Sequence, residues 1–228
     1  MKTLVIDRQD VKTNLQAIKQ RADGALIYAN LSANAQGMGL METARFLRDE
    51  GIGNFAVSEP EAVAHLRSGG FVEEGILMLR STLDPDELGK LIELRATCTV
   101  GSHEAAAAIN GIAEAQGTVA DVHIKIDTGL GHYGFRPNET DKILSIYKYM
   151  SNLAVSGIYM RFSDSSNNEK QTRAELEEFR EVIEKINDAG FETGIAHAAD
   201  SVALFKYDFC NLDAVCPGCA LIGRLSSK

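Results

Sequence analysis

Two cysteines near the end of the chain have a spacing that is used in redox and zinc sites. Residues 216–219 read Cys-Pro-Gly-Cys, and a Cys-x-x-Cys pair can exchange disulfides or bind Zn²⁺ through its thiolates. His197, Asp200 and His132 are candidates for completing such a zinc site. The chain contains no second pair of closely spaced ligands, so we favour the interpretation that both cysteines are small apolar packing residues. We predict no metal site.

The elements that position these residues alternate regularly between strands and helices. Repeated strand–helix units with short connections predict a parallel sheet covered by helices. Because no Gly-x-Gly-x-x-Gly follows the first strand, we predict a closed (β/α)₈ TIM barrel rather than a doubly wound sheet. The helix after the second strand is expected to have Ser58 as its N-cap, followed by Pro60. The predicted strands are 25–29, 54–57, 75–79, 96–100, 122–126, 153–160, 194–196 and 212–215, and the predicted helices include 41–49, 85–91, 104–115 and 171–189.

Barrel active sites lie at the carboxyl ends of the strands. In this chain those ends lead into polar or glycine-containing segments, which therefore hold the candidate site residues. The segments are 30–39, 127–137, 161–164, 197–201 and 216–223.

Composition narrows the class of protein without naming a function. The 228 residues carry a net charge of −9, which argues against nucleic acid as a partner because no basic surface is available to neutralise phosphates. No apolar run is long enough to cross a membrane, and the four cysteines are too few for a disulfide scaffold. We expect a cytoplasmic protein with one barrel domain over residues 1–228.

Residues 125–131 (Lys-Ile-Asp-Thr-Gly-Leu-Gly), followed by Gly134 and Phe135, are the most specific of five segments that match a known family pattern in the right order. The other four are 5–15, 33–39, 197–201 and 215–223. Together they resemble the N-terminal, pyridoxal-phosphate-binding barrel of alanine racemase. The resemblance covers essentially the whole chain and implies the same alanine-racemase-type barrel.

The departures from the family pattern imply that no catalytic set is intact. The resemblance places Ser32 where the family has the lysine that forms an imine with pyridoxal phosphate. A serine hydroxyl cannot form an imine and is not a base near neutral pH. The other replacements are Gln36 and Met38 for a tyrosine and a histidine of the same loop, His132 for an arginine on the substrate side, Arg161 for a histidine below the cofactor, Cys216 for the arginine under the pyridine nitrogen, and Ile222 for a tyrosine.

Some ligand-binding groups of the family pattern persist. Ser201 with the backbone amides near Gly218 and Cys219 could form a phosphate cup, since backbone donors bind phosphate whatever the neighbouring side chains are. The alternative is that Gly218 serves only to shape the turn. Lys125 is expected to be a buried cation paired with Asp127, or else a replacement amine for a carbonyl ligand. The full set of expected ligand-binding residues is Ser201, Gly218, Cys219, His197, Lys125, Asp200 and Gln36.

These observations predict an alanine-racemase-like barrel without racemase activity, a degenerate or repurposed homologue that binds a small phosphate- or carboxylate-bearing metabolite. The alternative is an amino-acid racemase-like or other enzyme that keeps pyridoxal phosphate without a covalent bond; we expect no covalent cofactor. The family's second domain supplies the opposite base, and the sequence ends at Lys228, so either that base is lacking or the chain is part of a longer protein. The oligomeric state stays open.

Overall fold

Eight parallel strands close into a barrel, each paired with the next and the eighth paired with the first. The structure is a computed structural model and describes residues 5–225. The predicted TIM barrel is therefore confirmed. Its strands are β1 (Leu26–Asn30), β2 (Asn54–Val57), β3 (Gly75–Met78), β4 (Thr97–Val100), β5 (Ala120–Lys125), β6 (Leu153–Tyr159), β7 (Ile195–Ala199) and β8 (Ala214–Val215). Its helices are α1 (Arg8–Ala22), α2 (Ser32–Gln36), α3 (Leu40–Asp49), α4 (Pro60–Ser68), α5 (Pro85–Glu93), α6 (His103–Ala115), α7 (Thr140–Tyr149), α8 (Glu169–Asp188) and α9 (Ser201–Lys206).

The apolar residues divide into two packed groups. The larger lies between the sheet and the surrounding helices, and the smaller fills the inside of the barrel around Tyr28, Leu77 and Tyr159. Helix α8 shows how the sequence produces this arrangement, because its buried side chains recur every three or four residues and so form one face. These residues are Thr172, Glu175, Leu176, Phe179, Val182 and Ile186. Within residues 5–225, no helix combines the length and the apolar character needed to cross a bilayer.

One predicted cap is wrong. The N-cap position of α4 is Glu59, not Ser58, and the Glu59 side chain makes no capping hydrogen bond. Pro60 opens the helix, and its fixed φ angle suits the first helical position. The Ser58 hydroxyl instead bonds to Ser32, which lies on the loop after the neighbouring strand β1.

Helix α1 was absent from the prediction although its signals are present in the sequence. Asp7 caps it by accepting a hydrogen bond from the Gln9 amide at 2.7 Å. Its buried residues have helical spacing, and the helix packs beside the last turn of the chain. They are Val11, Leu15, Ile18 and Ala22.

The turn α2 after β1 has the opposite hand from the other helices. Four consecutive residues without a glycine among them, 33–36, have φ angles between +54° and +57°. This conformation brings Cβ close to the following carbonyl oxygen and costs roughly 1–2 kcal/mol per residue. The turn ends at Gly37, which has φ of +90°, and it fixes the position of Ser32 at one end and Gln36 at the other.

The amino-terminal rim of the barrel is tied together by Arg67 at the end of α4. Its guanidinium donates to four backbone carbonyls: Phe71 and Glu74 before β3, and Leu94 and Arg95 before β4, at 2.6–2.9 Å. One side chain thus joins the segments that lead into two neighbouring strands.

Candidate functional site

A cavity of about 300 Å³, partly open to solvent, lies at the carboxyl ends of β1, β3, β6, β7 and β8. We refer to this region as the barrel mouth. Four of the predicted site residues meet there, although they are far apart in sequence. The polar residues lining the cavity are Asn30, Tyr159, Arg161, His197, Asp200 and Cys216, of which the last four were predicted.

Ser32 lies beside this cavity, two residues after Asn30. Its amide donates to Asn30 Oδ1 at 3.0 Å, and its hydroxyl oxygen lies 2.7 Å from that of Ser58, so the two hydroxyls share a hydrogen bond. Among the described residues that line the cavity there is no lysine. The position at which the sequence resemblance expects an imine-forming amine therefore holds a hydroxyl already engaged by another hydroxyl.

Ser201 is buried and organises the turn that follows β8. Its oxygen accepts the amide of Gly218 at 2.9 Å and that of Ala220 at 3.1 Å. The prediction named Cys219 as the neighbour of Gly218 in the cup, whereas the second amide that reaches Ser201 belongs to Ala220. The hydroxyl proton of Ser201 donates no hydrogen bond within residues 5–225.

Gly218 allows this turn to approach the loop after β1. A Cβ at this position would lie 3.3 Å from Asn30 Cβ and 3.5 Å from Gln36 Nε2. Gln36 itself donates weakly to the Ser32 carbonyl at 3.3 Å. The loops after β1 and β8, which carry Ser32, Gln36 and Gly218, are thus in contact at the mouth.

Below the cavity, His197 is held between two tyrosine rings. It stacks on Tyr28 with centroids 5.4 Å apart and on Tyr159 with centroids 4.8 Å apart. Its Nε2 lies 3.2 Å from His123 Nδ1, so one imidazole donates to the other. Gly157 makes room for His123, because a Cβ there would lie 2.5 Å from the ring.

Sequence reasoning named His197 but missed His123 and the two tyrosines. The signal for His123 was present. Valine and isoleucine alternate with His123 and Lys125 along β5, and in a barrel strand every second residue points inward.

Both imidazoles are neutral at pH 7. Burial lowers the pKa of His197 well below its ordinary value, with a further lowering from His123. Burial also lowers the pKa of His123 to about 4, against a smaller opposing effect of Asp121. The histidine pair is thus a polar but uncharged layer under the mouth.

Cys216 is a neutral thiol. Burial raises its pKa to about 12, and the nearby Arg161 offsets only part of that increase. Cys216 and Cys219 are both unbridged, and no three His, Cys, Asp or Glu side chains of residues 5–225 are placed to share a metal ion. A protonated thiol is a poor redox nucleophile and a poor metal ligand, and the packing interpretation of this motif stays a prediction.

Lys125 is buried and does not form the expected ion pair. Its ammonium donates to the Tyr133 carbonyl at 2.6 Å and lies 5.0 Å from the centre of the Tyr133 ring. Asp127 Oδ1 instead accepts the amides of Gly129 and Gly131 in the adjoining loop. A carboxylate close to two free amides satisfies them in preference to reaching back into the barrel. Burial lowers the pKa of Lys125 to about 8.

His132 lies on the loop after β5 and is exposed. Its ring packs against that of Tyr133, with centroids 4.2 Å apart. Partial burial is the main cause that lowers its pKa, and Lys125 and Arg161 add to the effect. His132 is outside the cavity wall, so the structure does not bring it together with the other predicted residues.

Residues 6–226 match the sequence profile of a single family, described as alanine racemase, N-terminal domain. The chain belongs to this family. The resemblance stated from the sequence motifs is therefore confirmed, and with it the fold.

Individual relatives agree with this assignment. Alanine racemases of Methanococcus maripaludis and Clostridium tetani are 29% and 31% identical, each over 98% of this chain. The solved alanine racemase of Clostridium difficile 630 in complex with cycloserine superposes with a TM-score of 0.91 at 28% identity, over 96% of this chain. The chain spans about 60% of the length of these relatives, so it corresponds to one part of each.

The family normally binds pyridoxal phosphate, and the residues at the mouth do not fit a covalently held form of it. The aldehyde of that cofactor needs a primary amine, and the side chain at the corresponding position is the hydroxyl of Ser32, bonded to Ser58. The buried amine of Lys125 is held by the Tyr133 carbonyl on a different strand.

Proposed function

We propose that this alanine-racemase-like barrel is a pseudoenzyme that binds a small anionic metabolite and does not racemise alanine. The observation that carries the proposal is the Ser32–Ser58 hydroxyl pair, 2.7 Å apart, at the position that the resemblance assigns to the imine-forming lysine. A hydroxyl has no lone pair on nitrogen with which to form an imine, and nothing nearby activates it as a base.

Two further replacements support the loss of racemase chemistry. Cys216 stands where the resemblance expects the arginine under the cofactor's ring, and a neutral thiol cannot supply that positive charge. His132 stands where the family has an arginine on the substrate side, and it is an exposed ring outside the cavity. Removing a covalent catalytic group alone typically costs on the order of 10⁴–10⁶ in rate.

Anion binding is supported by the group around Ser201. An oxygen that accepts two backbone amides is a stronger donor through its own proton, because the two hydrogen bonds polarise the O–H bond. That proton, together with the amide of Cys219, offers a phosphate or carboxylate a small set of donors beside the mouth. The Gly218 amide already donates to Ser201. His197, Asp200 and Gln36 surround the same region.

The alternative is an enzyme that retains pyridoxal phosphate without a covalent bond. It rests on the persistence of Lys125, whose pKa near 8 would make it a usable amine. We favour the binding protein because the Lys125 ammonium is already engaged by a carbonyl and a ring. We also propose a cytoplasmic location, since the four cysteines are unbridged, and a small-molecule ligand rather than nucleic acid or a membrane as partner.

The test is the visible spectrum of the protein mixed with pyridoxal phosphate. An internal imine absorbs at roughly 420 nm, and we expect none. Ser32→Lys restores an amine at the mouth, whereas Ser151→Lys adds one at an exposed turn before β6, at the other end of the barrel; the matched control should give no imine. An imine in the unmodified protein, or alanine racemisation above background, would overturn the proposal.

Anion binding is tested separately by thermal denaturation. A ligand that binds only the folded state raises Tm, so millimolar inorganic phosphate should raise it more in the unmodified protein than in Ser201→Ala. Equal shifts in the two proteins would remove Ser201 from the binding site.

A further inference from the structure

Arg161, two residues after the end of β6, is exposed and lines the mouth cavity without a side-chain partner among the described residues. None of the salt bridges or side-chain hydrogen bonds formed within residues 5–225 uses its guanidinium. A guanidinium presents five N–H donors in a planar fork. At the wall of a cavity, such a group can donate several hydrogen bonds to one anionic ligand.

The other charges around the cavity leave Arg161 uncompensated. Asp200 is the one acidic side chain among the described residues of the wall, and its Oδ1 accepts the amides of Val202 and Ala203 at 2.9 Å. That carboxylate caps α9 and forms no salt bridge with Arg161. His197 and Cys216, the remaining titratable groups at this level apart from Tyr159, are uncharged at pH 7.

Part of the lining beside this charge is apolar. It is formed by Leu79, Met160, Ala198 and Ala199, so a bound ligand displaces water from that side of the guanidinium. Charge-assisted hydrogen bonds strengthen when water is excluded. The empty space of about 300 Å³ includes solvent outside the cleft, so a bound anion is held at the open mouth and is not enclosed by the barrel.

We propose that Arg161 is the anchor for the anionic group of the ligand, gripping two oxygens of a carboxylate or phosphate through its planar fork. The inference rests on the proposed function, since both place a small anion in the mouth, but it assigns the main contact to the end of β6 rather than to the Ser201 turn. Specificity then comes from Arg161, with the Ser201 hydroxyl as a second donor.

The field of the guanidinium extends across the mouth. Arg161 is among the charges that lower the pKa of Cys216, Tyr133 and Lys125. These groups lie on or near two strand ends, those of β5 and β8, so the charge acts on more than its own strand.

The experiment measures the Kd of three probes by calorimetric titration: inorganic phosphate, succinate and pyridoxal phosphate. Arg161→Gln should weaken the best probe by at least about tenfold, the effect of losing one charge-assisted hydrogen bond. Arg161→Lys keeps the charge but loses the planar fork, so its Kd should lie between those of the unmodified protein and of Arg161→Gln. Arg180→Gln makes the same change of charge on the outer face of α8, where Arg180 pairs with Glu177, and should bind as the unmodified protein does.

Each result decides between the two proposals. If the unmodified protein binds a probe and Arg161→Gln binds it equally well, Arg161 is not the anchor but the proposed function stands; loss in Ser201→Ala alone would then place the anion at the Ser201 turn. If the unmodified protein binds none of the three probes, both proposals fail. Because Arg161 has no partner among the described residues, Arg161→Gln should also unfold at the same urea concentration as the unmodified protein, which excludes misfolding as the cause of lost binding.

Discussion

Arg67 at the amino-terminal rim and Arg161 at the carboxyl-terminal mouth carry the same side chain in opposite surroundings. The first donates to four backbone carbonyls, and the second forms no such bond within the described residues. At the rim, every donor that is used joins two parts of the chain and so stabilises the fold. At the mouth, the guanidinium donors of Arg161 have no acceptor among the described residues.

Other features of the mouth follow the same division. The left-handed turn α2 places four residues without glycine in an unfavourable conformation, and the paired imidazoles of His123 and His197 are buried without charge. Such costs tend to collect where a protein binds its ligand and to be compensated elsewhere in the structure. The comparison indicates that stability comes from the rim and the packed layers, whereas these costs collect at the mouth, as the proposed binding role predicts.

The largest expected effect is the loss of Arg67. Arg67→Ala leaves four carbonyls without their donor, and we expect the free energy of unfolding to fall by about 2–4 kcal/mol. Arg161→Ala should change it by less than about 0.5 kcal/mol. Urea denaturation of both variants measures this difference, and similar losses for the two arginines would contradict the division between rim and mouth.

The buried histidine pair predicts a second effect, which depends on pH. The folded-state pKa values of His123 and His197 lie below the unfolded value near 6.5, so their contribution to stability is complete above that pH. It is lost as pH falls from about 6.5 towards 4, because the unfolded chain then binds more protons. At its steepest this amounts to about 1.4 kcal/mol per pH unit for each proton.

Urea denaturation between pH 7.5 and 4.5 tests this dependence. His123→Gln should flatten the slope, whereas His65→Gln, at an exposed position of α4, should leave it unchanged. A slope that survives His123→Gln would assign the acid sensitivity to other groups.

The smallest predicted effect is on stability, and the same substitution by glycine should have opposite signs at two exposed alanines. Ala33 has a φ angle of +54° in the left-handed turn, so Ala33→Gly removes strain and should raise stability by about 0.5–1 kcal/mol after the entropic cost of glycine. Ala107 lies in the right-handed helix α6, where Ala107→Gly should lower stability by about 0.5–1 kcal/mol. Two losses of equal size would show that the turn is not left-handed in solution.

Much of the fold could be predicted from the order of strands and helices, since alternating units with short connections allow few architectures. The position of Ser32 could likewise be inferred from the motif around it. Ser58 shows where this reasoning stops. Its neighbours Pro60 and Glu61 form a good helix-start pattern, but the closure of the barrel brings Ser32 within reach of its hydroxyl, and that partner lies 26 residues away.

The functions of the two arginines also could not be inferred from the sequence. Arg67 is one charged residue in an ordinary helix, and its four acceptors are carbonyls that any residue type could provide. Arg161 was recognised as a departure from the family pattern, but only the structure shows that the neighbouring carboxylate of Asp200 is committed to a helix end. Whether a charge is satisfied depends on geometry across the barrel, which spacing along the chain does not encode.

Gly157 and His123 restrict how the chain can change over time. Because any Cβ at position 157 would meet the imidazole at 2.5 Å, an alanine becomes acceptable there only after His123 has been replaced by a smaller residue. That earlier replacement would leave Nε2 of His197 without its partner and open a void between two tyrosine rings. Substitution of Gly157 must therefore follow substitution of His123, and a lineage that keeps this histidine pair is expected to keep the glycine as well.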